Sequence, residues 1–382
     1  MESFFKKNGI TPPKEDEFEL TFFGPGYGES IVVYLPTIGW GVIDSCVFNV
    51  NKSRFIPPLE YLSFLSVKYL EFIMLTHPHK DHYLGMDGII NAYMGRVNRI
   101  CRYHGEGLRE LITYLTHRSY KGALSLGRAP DLVSLGDIFS AFKRARENGA
   151  DLWYLSAHTI VVPPRTVNIR GTDLTIMAIS LSPLAEDEEN YIRILREALP
   201  RVGHFLKDIP DVRHNLVSSA ISISVSGNKA ILGSDVERGT SDRSGWQGIV
   251  NSTSSPELAV RLLKVPHHGS RDAYCEDAWD SHCRFEPIFS IVTPFSASSI
   301  PTDADIERIR HHSRYTGLTS ASRYKPPSEV YSMATARQID QRTKSWKVVD
   351  PPTECGMITV RYDIGGNETL RRAIPPARII EN

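Results

Sequence analysis

Apolar positions in the first part of the chain form short runs with the length and spacing of β-strands. Residues 18–23 (FELTFF) and 30–36 (SIVVYLP) are the first two runs, and a short apolar stretch then ends at Asp44. Residues 70–75 (LEFIML) have the length of a buried strand. The glycines within 24–28 join two strands, whereas a dinucleotide-binding motif requires a helix after its glycines, so we predict a tight β-turn there.

The later pattern mixes helical and strand spacing. Residues 218–235 alternate apolar and polar positions around a Gly-Asn turn, which predicts a β-hairpin. Residues 257–270 fit either a helix or a strand. Helical spacing predicts helices over residues 59–69, 86–95, 107–118, 138–148, 186–199 and 303–312. Further strands are predicted over residues 174–183, 287–294 and 356–362. Strands near both ends with helices between them indicate a layered α/β arrangement.

Composition places the chain among ordinary globular proteins. Its 382 residues include 44 Lys or Arg and 44 Asp or Glu, so the formal net charge is zero. This balance argues against a protein that coats nucleic acid with a uniformly basic surface. The five cysteines form no CxxC pair, which favours a reducing compartment. We find no signal peptide and no apolar run of about 18 residues, so we expect a cytoplasmic protein without a membrane span.

Residues 76–82 read THPHKDH and place three histidines and an aspartate directly after the LEFIML strand. Residues that follow a buried strand point into the crevice where α/β proteins usually bind ligands. His77 and His79 are two residues apart, so both can bind one metal. Asp81 and His82 are adjacent and project in different directions, so they can bind a second. Imidazole and carboxylate together suit zinc, manganese or iron.

Further candidate ligands also follow apolar strands. Asp235 ends the stretch AILGSD, and His267 follows LLKVP. We expect both to reach the edge of the sheet at which THPHKDH lies. Singly, Asp235 fits a turn aspartate and His267 a surface histidine. Together with the first cluster they supply the bridging carboxylate and the extra imidazole of a two-metal site, for which we predict two divalent ions, Zn²⁺ or Mn²⁺.

The order of Asp44, the HxHxDH motif, Asp235 and His267 resembles the metallo-β-lactamase fold superfamily. THPHKDH matches HxHxDH in full, GVID matches the stretch whose aspartate braces the metal loop, and AILGSD matches the strand that ends in the bridging aspartate. KVPHHGS, together with NLVSSAISI before the hairpin, resembles the hydrolase domain of the ComEC family of DNA-uptake proteins and its soluble relatives.

This resemblance implies a four-layer αββα sandwich with the metal cluster at one edge of its two sheets. It implies a single domain over residues 1–382, with the core at about 18–365. The resemblance is weakest over about 104–170 and 184–212, which we expect to be insertions.

The chain departs from the superfamily at one ligand. Most members supply a third histidine to the first metal from a loop before the hairpin, and the matching stretch here is RHNLVSS. The ComEC-like pattern places an asparagine there, Asn215, and His214 is its neighbour. Because asparagine is a poor ligand for zinc, either His214 binds the first metal or that site is looser and favours manganese.

Two metals a few ångströms apart would lower the pKa of a water between them and so produce a hydroxide nucleophile at neutral pH. Asp81 is expected to bind the second metal and to orient that water, a role that the resemblance also implies. His268 is a candidate to protonate the leaving group or to bind a phosphate oxygen, and Ser270 to donate a hydrogen bond to that oxygen. Simple loop packing and a helix N-cap are the alternatives.

The resemblance favours a phosphodiester substrate, in nucleic acid or in a nucleotide. Residues 308–347 contain nine Lys or Arg and two acids, with four Tyr or Trp interleaved. Such a surface would attract a phosphate backbone and stack bases. A solvated helical face with a loop is the alternative.

Three functions remain open. The first is a metal-dependent phosphodiesterase or nuclease. The second is a hydrolase of small esters, lactones or thioesters that uses the same site. The third is a partner-binding module in a bacterial defence or stress system, as the resemblance to soluble family members implies. The complete HxHxDH motif argues against the third, and HHGS with the basic segment weighs for the first over the second. The sequence identifies no protein partner.

Overall fold

The computed structural model describes residues 2–50, 53–105, 108–109, 130–198, 213–286, 288–320 and 356–382. Its strands in the first half of the chain are β1 (Glu17–Phe23), β2 (Ser30–Leu35), β3 (Gly39–Ile43), β4 (Phe48–Val50), β5 (Ser53–Phe55), β6 (Leu70–Leu75), β7 (Val97–Tyr103), β8 (Asp151–Leu155), β9 (Ile160–Ile169) and β10 (Thr172–Ser180). Those in the second half are β11 (Ile221–Val225), β12 (Asn228–Leu232), β13 (Leu262–Lys264), β14 (Ile288–Val292), β15 (Ser313–Leu318), β16 (Met357–Asp363), β17 (Glu368–Ile374) and β18 (Arg378–Glu381).

The helices are short apart from two. They are α1 (Glu2–Lys7), α2 (Pro57–Phe64), α3 (Lys80–Tyr83), α4 (Met86–Ala92), α5 (Pro130–Glu147), α6 (Ala185–Ala198), α7 (Gly245–Asn251), α8 (Glu276–His282) and α9 (Asp303–His311). Three single 3₁₀ turns are η1 (His214–Val217), η2 (His267–Gly269) and η3 (Arg271–Ala273). None of the described helices is long and apolar enough to cross a membrane.

The described strands form two eight-stranded sheets and a small β4–β5 hairpin. The first sheet has the order β17-β16-β1-β2-β3-β6-β7-β8, and the second has the order β18-β15-β14-β13-β12-β11-β10-β9. In the first sheet β3, β6 and β7 run parallel, and in the second β12, β13 and β14 do so. Neighbouring parallel strands end at the same edge of a sheet, so the loops that follow them are brought together.

The two sheets pack face to face over a shared apolar core. Along β1, Phe18, Leu20 and Phe22 point into this core, where they belong to one cluster with Ile221 and Ile223 of β11. The alternate positions of a strand face the other side. One face of each sheet is therefore buried against the other sheet.

Helices cover the two outer faces. Phe23 and Val32 face away from the shared core and pack in a second cluster with Tyr61 of α2. On the second sheet Leu263 packs in a third cluster with Trp246 of α7. The layers are thus helix, sheet, sheet and helix, and the predicted four-layer αββα sandwich is confirmed.

Several predicted elements are confirmed with shifted ends. The helices predicted over 86–95, 138–148, 186–199 and 303–312 are α4, α5, α6 and α9. The helix predicted over 59–69 begins and ends earlier, as α2. Residues 257–270, left open between helix and strand, contain only the short strand β13 and the turn η2.

The hairpin over 218–235 is confirmed, but its predicted Gly-Asn turn is wrong. Ser226 and Gly227 form the turn between β11 and β12, and Asn228 is the first residue of β12. Both turn residues have positive φ angles, of 47° and 85°. A two-residue hairpin turn of this hand matches the twist of its flanking strands.

Parts of two further predictions lie outside the described residues. The helix predicted over 107–118 falls almost wholly there, and so does most of the basic segment 308–347. Within the range 104–170, where we expected an insertion, the described residues contribute β8 and β9, the outermost strands of the two sheets.

A buried ion pair lies beneath the first sheet's helix layer. Glu19 of β1 stands opposite Arg361 of β16, and the Arg361 Nε donates to Glu19 Oε2 at 2.6 Å. Tyr61 and Thr21 donate to the other carboxylate oxygen at 2.7 and 3.1 Å. Burial raises the pKa of Glu19, and the Arg361 charge opposes this rise. The carboxylate therefore depends on Arg361 for its stability in the fold.

Arg361→Leu should leave the Glu19 carboxylate buried without its cation. Removing one partner of a buried ion pair costs about 3–5 kcal/mol, so we expect the free energy of unfolding to fall by about that amount. Urea titration followed by circular dichroism measures it. The double variant Glu19→Gln with Arg361→Leu should recover most of the loss, because the Glu19 charge is then removed together with its cation. A single variant as stable as the wild type would contradict the expectation.

Candidate metal centre

The predicted ligands meet where the two sheets present the ends of their parallel strands. Asp44 follows β3 and His77 follows β6 in the first sheet, whereas Asp235 follows β12 and His268 follows β13 in the second. Across this junction, His77 Nε2 lies 3.8 Å from Asp235 Oδ2. The convergence expected from the strand ends is therefore present.

The loops that carry these side chains have an uncommon backbone conformation. Asp44, Ser234, His267 and His268 have φ angles of 56°, 45°, 46° and 55°. Such left-handed conformations cost about 1–3 kcal/mol each for residues other than glycine, and persist only where their surroundings fix them. Backbone hydrogen bonds do so here: Asp44 donates to the Met74 carbonyl, and His267 donates to the Ser234 carbonyl, both at 2.8 Å.

Four side chains form what we name the second centre: Asp81, His82, Asp235 and His268. His82 Nε2 lies 3.6 Å from Asp81 Oδ2 and 3.3 Å from Asp235 Oδ2. His268 Nε2 lies 3.1 and 3.6 Å from the same two oxygens. Ligand atoms of a tetrahedral metal with bonds of about 2.0–2.1 Å lie about 3.3 Å apart. These four distances fit the spacing of ligands around one metal, and Glu29 forms with His82, Asp235 and His268 a set whose ligand atoms all lie within 4.8 Å of one another.

Three side chains form the first centre: His77, His79 and Asp235. Their ligand atoms all lie within 4.8 Å of one another, and His77 Nε2 is 2.9 Å from His79 Nδ1. Asp235 Oδ2 belongs to both centres. Its other oxygen, Oδ1, is buried and has no hydrogen-bond partner among the described residues. A carboxylate in this position can bridge two divalent ions.

His214 lies beside the first centre. Its ring is 5.1 Å from the His79 ring, and its Nδ1 is 3.0 Å from the Tyr191 hydroxyl. In the part of the chain that the structure describes, its buried Nε2 has no hydrogen-bond partner. Asn215 instead directs its amide to Glu237 and to His267, at 3.0 and 3.3 Å. The geometry thus brings His214, and not the Asn215 amide, against the histidine pair.

The centre histidines are oriented from behind. His82 Nδ1 lies 2.7 Å from Asp44 Oδ2, and His268 Nδ1 lies 2.7 Å from the Thr293 carbonyl. Because a carbonyl can only accept, His268 Nδ1 carries the proton and its Nε2 presents a lone pair to the second centre. A histidine that binds a metal usually donates its other ring N–H in this way.

Asp44 has the bracing role that the resemblance implies. Its Oδ1 accepts from the Thr76 backbone N–H at 2.8 Å, and its Oδ2 accepts from the Thr76 hydroxyl at 2.6 Å. The same oxygen contacts His82. One carboxylate therefore holds both the start of the HxHxDH loop and its last histidine.

A buried Glu29–Lys264 pair was missed by the sequence analysis. The Lys264 ammonium is wholly buried and lies 2.5 Å from Glu29 Oε2, which also accepts from the Thr293 hydroxyl. Glu29 lies 3.6 Å from His268 Nδ1 and 3.8 Å from His82 Nδ1. The lysine inside the apolar stretch LLKVP was the available signal, because a buried lysine requires a partner.

The cluster carries an excess of negative charge. Four carboxylates lie in and behind the two centres, and one buried ammonium, that of Lys264, opposes them. The carboxylates belong to Glu29, Asp44, Asp81 and Asp235. Buried charges are stable only when they are paired or coordinate a metal. The donor set and its charge therefore both fit two divalent cations.

The histidine pKa values reflect this charge. Burial alone would lower the pKa of His82, but Asp235 and Asp81 outweigh it and raise that pKa well above its usual value. Burial also opposes the charged form of His268, and Asp235 and Asp81 again raise its pKa. By contrast, burial lowers the pKa of His77 well below the usual value, aided by His82. The second centre thus attracts positive charge most strongly.

His267, which was predicted as a metal ligand, belongs to neither group of ligand atoms, and its neighbour His268 takes that place. His267 is half-buried, with its Nδ1 3.1 Å from the Ser270 hydroxyl and its Nε2 facing Asn215. His268, predicted as a proton donor, is the histidine whose Nε2 enters the second centre. His104, which directly follows β7, stacks on Tyr154 with ring centroids 4.2 Å apart.

Sequence comparison provides no relative: no family model and no curated protein sequence matches the chain. Structure comparison aligns it with the metallo-beta-lactamase fold protein YhfI from Bacillus subtilis, at 11% identity and a TM-score of 0.37, over 79% of this chain and 95% of that chain. A diphosphatase from the PhnP family aligns at 11% identity and a TM-score of 0.32, over 72% and 86%. These likenesses assign no role to any residue. The candidate metal centre is inferred from the distances between its side chains.

His79→Ala should remove a ligand of the first centre and lower the metal content of the purified protein. We expect up to two transition-metal ions per wild-type chain and at least one fewer in the variant, measured by plasma mass spectrometry after dialysis. His311→Ala, an exposed histidine of α9, is the matched control and should keep the wild-type content. Equal metal content in all three proteins would count against the assignment.

Proposed function

We propose that this protein is a metal-dependent hydrolase that cleaves phosphodiester bonds, as a nuclease or a nucleotide phosphodiesterase. One observation carries the proposal: Asp235 Oδ2 lies within 3.8 Å of ligand atoms of both centres. A carboxylate shared by two histidine-containing groups is the donor arrangement of a two-metal site, which phosphatases and nucleases use for in-line displacement.

Seven side chains would hold the metals. The first centre would use two histidines of the HxHxDH loop and His214, the second would use Asp81 with two histidines, and Asp235 would be shared. The other histidines are His77, His79, His82 and His268. When bound, two divalent ions acidify water and stabilise negative charge on the attacking and leaving oxygens. Zn²⁺ and Mn²⁺ both accept this mixture of imidazole and carboxylate.

Asp81 is the residue that we assign to positioning the nucleophile. Its carboxylate is the most exposed of the second centre, with 16% of the side chain accessible, so it faces the side from which substrate arrives. Burial alone would raise its pKa, but His82 and His268 outweigh this effect and lower it, which keeps the carboxylate charged. A charged carboxylate can accept a proton from water and orient it.

His267 takes over the outer role first expected of His268. Because His268 directs Nε2 into the second centre, it is no longer available to donate a proton to a leaving group. His267 is half-buried and lies next to the Ser270 hydroxyl and the Asn215 amide. These three polar groups stand together at the rim, where they can contact a phosphate oxygen or a leaving oxygen.

The KVPHHGS resemblance to the ComEC hydrolase domain supports a phosphodiester over a lactone or thioester. An assay that includes a chromogenic phosphodiester, single- and double-stranded DNA and RNA, and a lactone, each with Mn²⁺ or Zn²⁺, separates these classes. Opening of the lactone without cleavage of any phosphodiester would show that the proposed substrate class is wrong. It would not contradict the proposed metal centre.

Asp81→Ala should abolish phosphodiester hydrolysis while the fold is kept. Asp81 lies in the one-turn helix α3, which follows the loop after β6, so truncation of its side chain removes little core packing. Loss of a well-placed nucleophile should lower kcat by at least about 100-fold. Hydrolysis of bis(p-nitrophenyl) phosphate with Mn²⁺ measures this change, and circular dichroism checks the fold.

Asp87→Ala is the matched control for this substitution. Asp87 is a half-buried aspartate at the start of α4 and belongs to neither centre. It should keep wild-type turnover. Wild-type turnover in the Asp81→Ala protein would show that the assigned mechanism is wrong.

A further inference from the structure

A cavity of about 850 Å³ lies outside the two centres and opens beside them. Its walls come from α6, η1, the loop after β12 and η3. Ser218 and Asn215 form part of the lining. The Ser218 hydroxyl accepts from the Asp235 backbone N–H at 2.9 Å and lies 3.5 Å from His77 Nδ1. The cavity wall is therefore in direct contact with residues of the first centre.

Arginines dominate the charged groups of this cavity. The four that line it are Arg193, Arg213, Arg238 and Arg271, and the carboxylates are Asp187, Glu237 and Asp272. Two of the arginines have acidic neighbours. Arg213 donates to Glu237 at 2.8 Å, and Arg193 lies 3.7 Å from Glu197. The Asp187 carboxylate accepts from the Gly245 N–H, and burial raises its pKa to about 6.

Arg238 and Arg271 differ from the other two. Neither guanidinium has a hydrogen bond or an ion pair with any residue that the structure describes. Both side chains are exposed at the cavity. Two guanidinium groups on one wall, neither of them paired within the part of the chain that the structure describes, can bind an anion.

The backbone holds these two arginines side by side. The Arg238 N–H donates to the Asp272 carbonyl at 2.8 Å, which ties the loop after β12 to η3. The Arg238 carbonyl accepts from the Gln247 N–H of α7 at 2.9 Å. The backbone of the wall is thus fixed from two directions, so mainly the two arginine side chains lose conformational freedom when a ligand binds.

We propose that Arg238 and Arg271 form a second anion subsite, which binds a phosphate group of the substrate other than the one that is cleaved. This inference rests on the proposed phosphodiester hydrolysis. It narrows the substrate to a phosphodiester that carries at least one further phosphate, as in an oligonucleotide. Arginine binds phosphate through paired, charge-assisted hydrogen bonds. The cavity volume is within the range of small-ligand sites, about 300–1,000 Å³.

The double variant Arg238→Gln with Arg271→Gln tests the subsite. We expect kcat/KM for a thymidine tetranucleotide to fall at least 10-fold, mainly through KM, because binding of the distant phosphate is lost. The rate on bis(p-nitrophenyl) phosphate, which has no second phosphate, should stay within 2-fold of the wild type. Arg165→Gln, an exposed arginine of β9 outside the cavity, is the control and should change neither rate.

Direct binding provides a readout that does not depend on turnover. Fluorescence anisotropy with a labelled thymidine tetranucleotide whose linkages are phosphorothioates, which resist cleavage, is measured on the metal-loaded protein at several salt concentrations, and circular dichroism checks the fold of each protein. Losing two phosphate contacts to a single strand should reduce the slope of log K against log salt by about 1.4. Unchanged affinity and slope in the double variant would overturn the subsite.

The two proposals can fail separately. If the wild type cleaves no phosphodiester but binds the tetranucleotide through the two arginines, the subsite stands and the proposed hydrolysis fails. If the wild type cleaves the tetranucleotide and the double variant cleaves it equally well, hydrolysis stands and the subsite fails. An equal loss of rate on both substrates would also overturn the subsite, because it would indicate damage to the centres.

Discussion

The concentration of three buried carboxylates and one half-buried carboxylate at the junction of the two sheets is the constraint on which the rest of this structure depends. Only one buried ammonium, that of Lys264, opposes Glu29, Asp44, Asp81 and Asp235. An uncompensated buried charge is costly, and here Lys264 and the raised pKa values of His82 and His268 offset part of that cost, which divalent cations at the centre would offset further. The left-handed loop residues, the Asp44 brace and the hydrogen bonds behind the histidines all serve to keep the donor atoms convergent.

Each sheet supplies half of the cluster, which links the site to the packing of the sandwich. The first sheet contributes the HxHxDH loop, and the second contributes Asp235 and His268. Their relative position is set by the apolar core between the sheets, where side chains of β1 and β11 interdigitate. Because protein interiors are close-packed, a shift of one sheet on the other would separate ligand atoms that now lie 3–4 Å apart.

The cavity wall is built from different parts of the chain. The cavity beside the centres is bounded by α6, η1, the loop after β12 and η3, which lie outside the shared core. Apart from His214 of η1 and Asp235 at the start of the loop after β12, residues of these peripheral segments can differ in size and charge without changing the candidate metal ligands, which is the usual division between a fold and the specificity built on it. On this wall, Arg213 is paired with Glu237, whereas Arg238 and Arg271 have no side-chain partner among the described residues.

The local pattern of residues predicts the elements and most of the candidate donor set. Strand-length apolar runs located β1, β6 and the β11–β12 hairpin, and the complete HxHxDH motif identified His77, His79, Asp81 and His82 as neighbours. This worked because strand spacing and ligand chemistry are local properties that a short window of residues expresses. The Ser226–Gly227 turn was missed because Asn228 next to a glycine carries an equally good turn signal.

Which of two adjacent histidines points into the second centre depends on the tertiary structure. His267 and His268 are adjacent, and their left-handed backbone sends His268 to Asp81, 187 positions earlier in the chain, and His267 to Asn215. Likewise, Glu29 became part of the cluster through its contact with Lys264, which lies in the other sheet. The direction of a side chain in a loop depends on φ angles and on packing partners far away in sequence, and neither is written in the local pattern of residues.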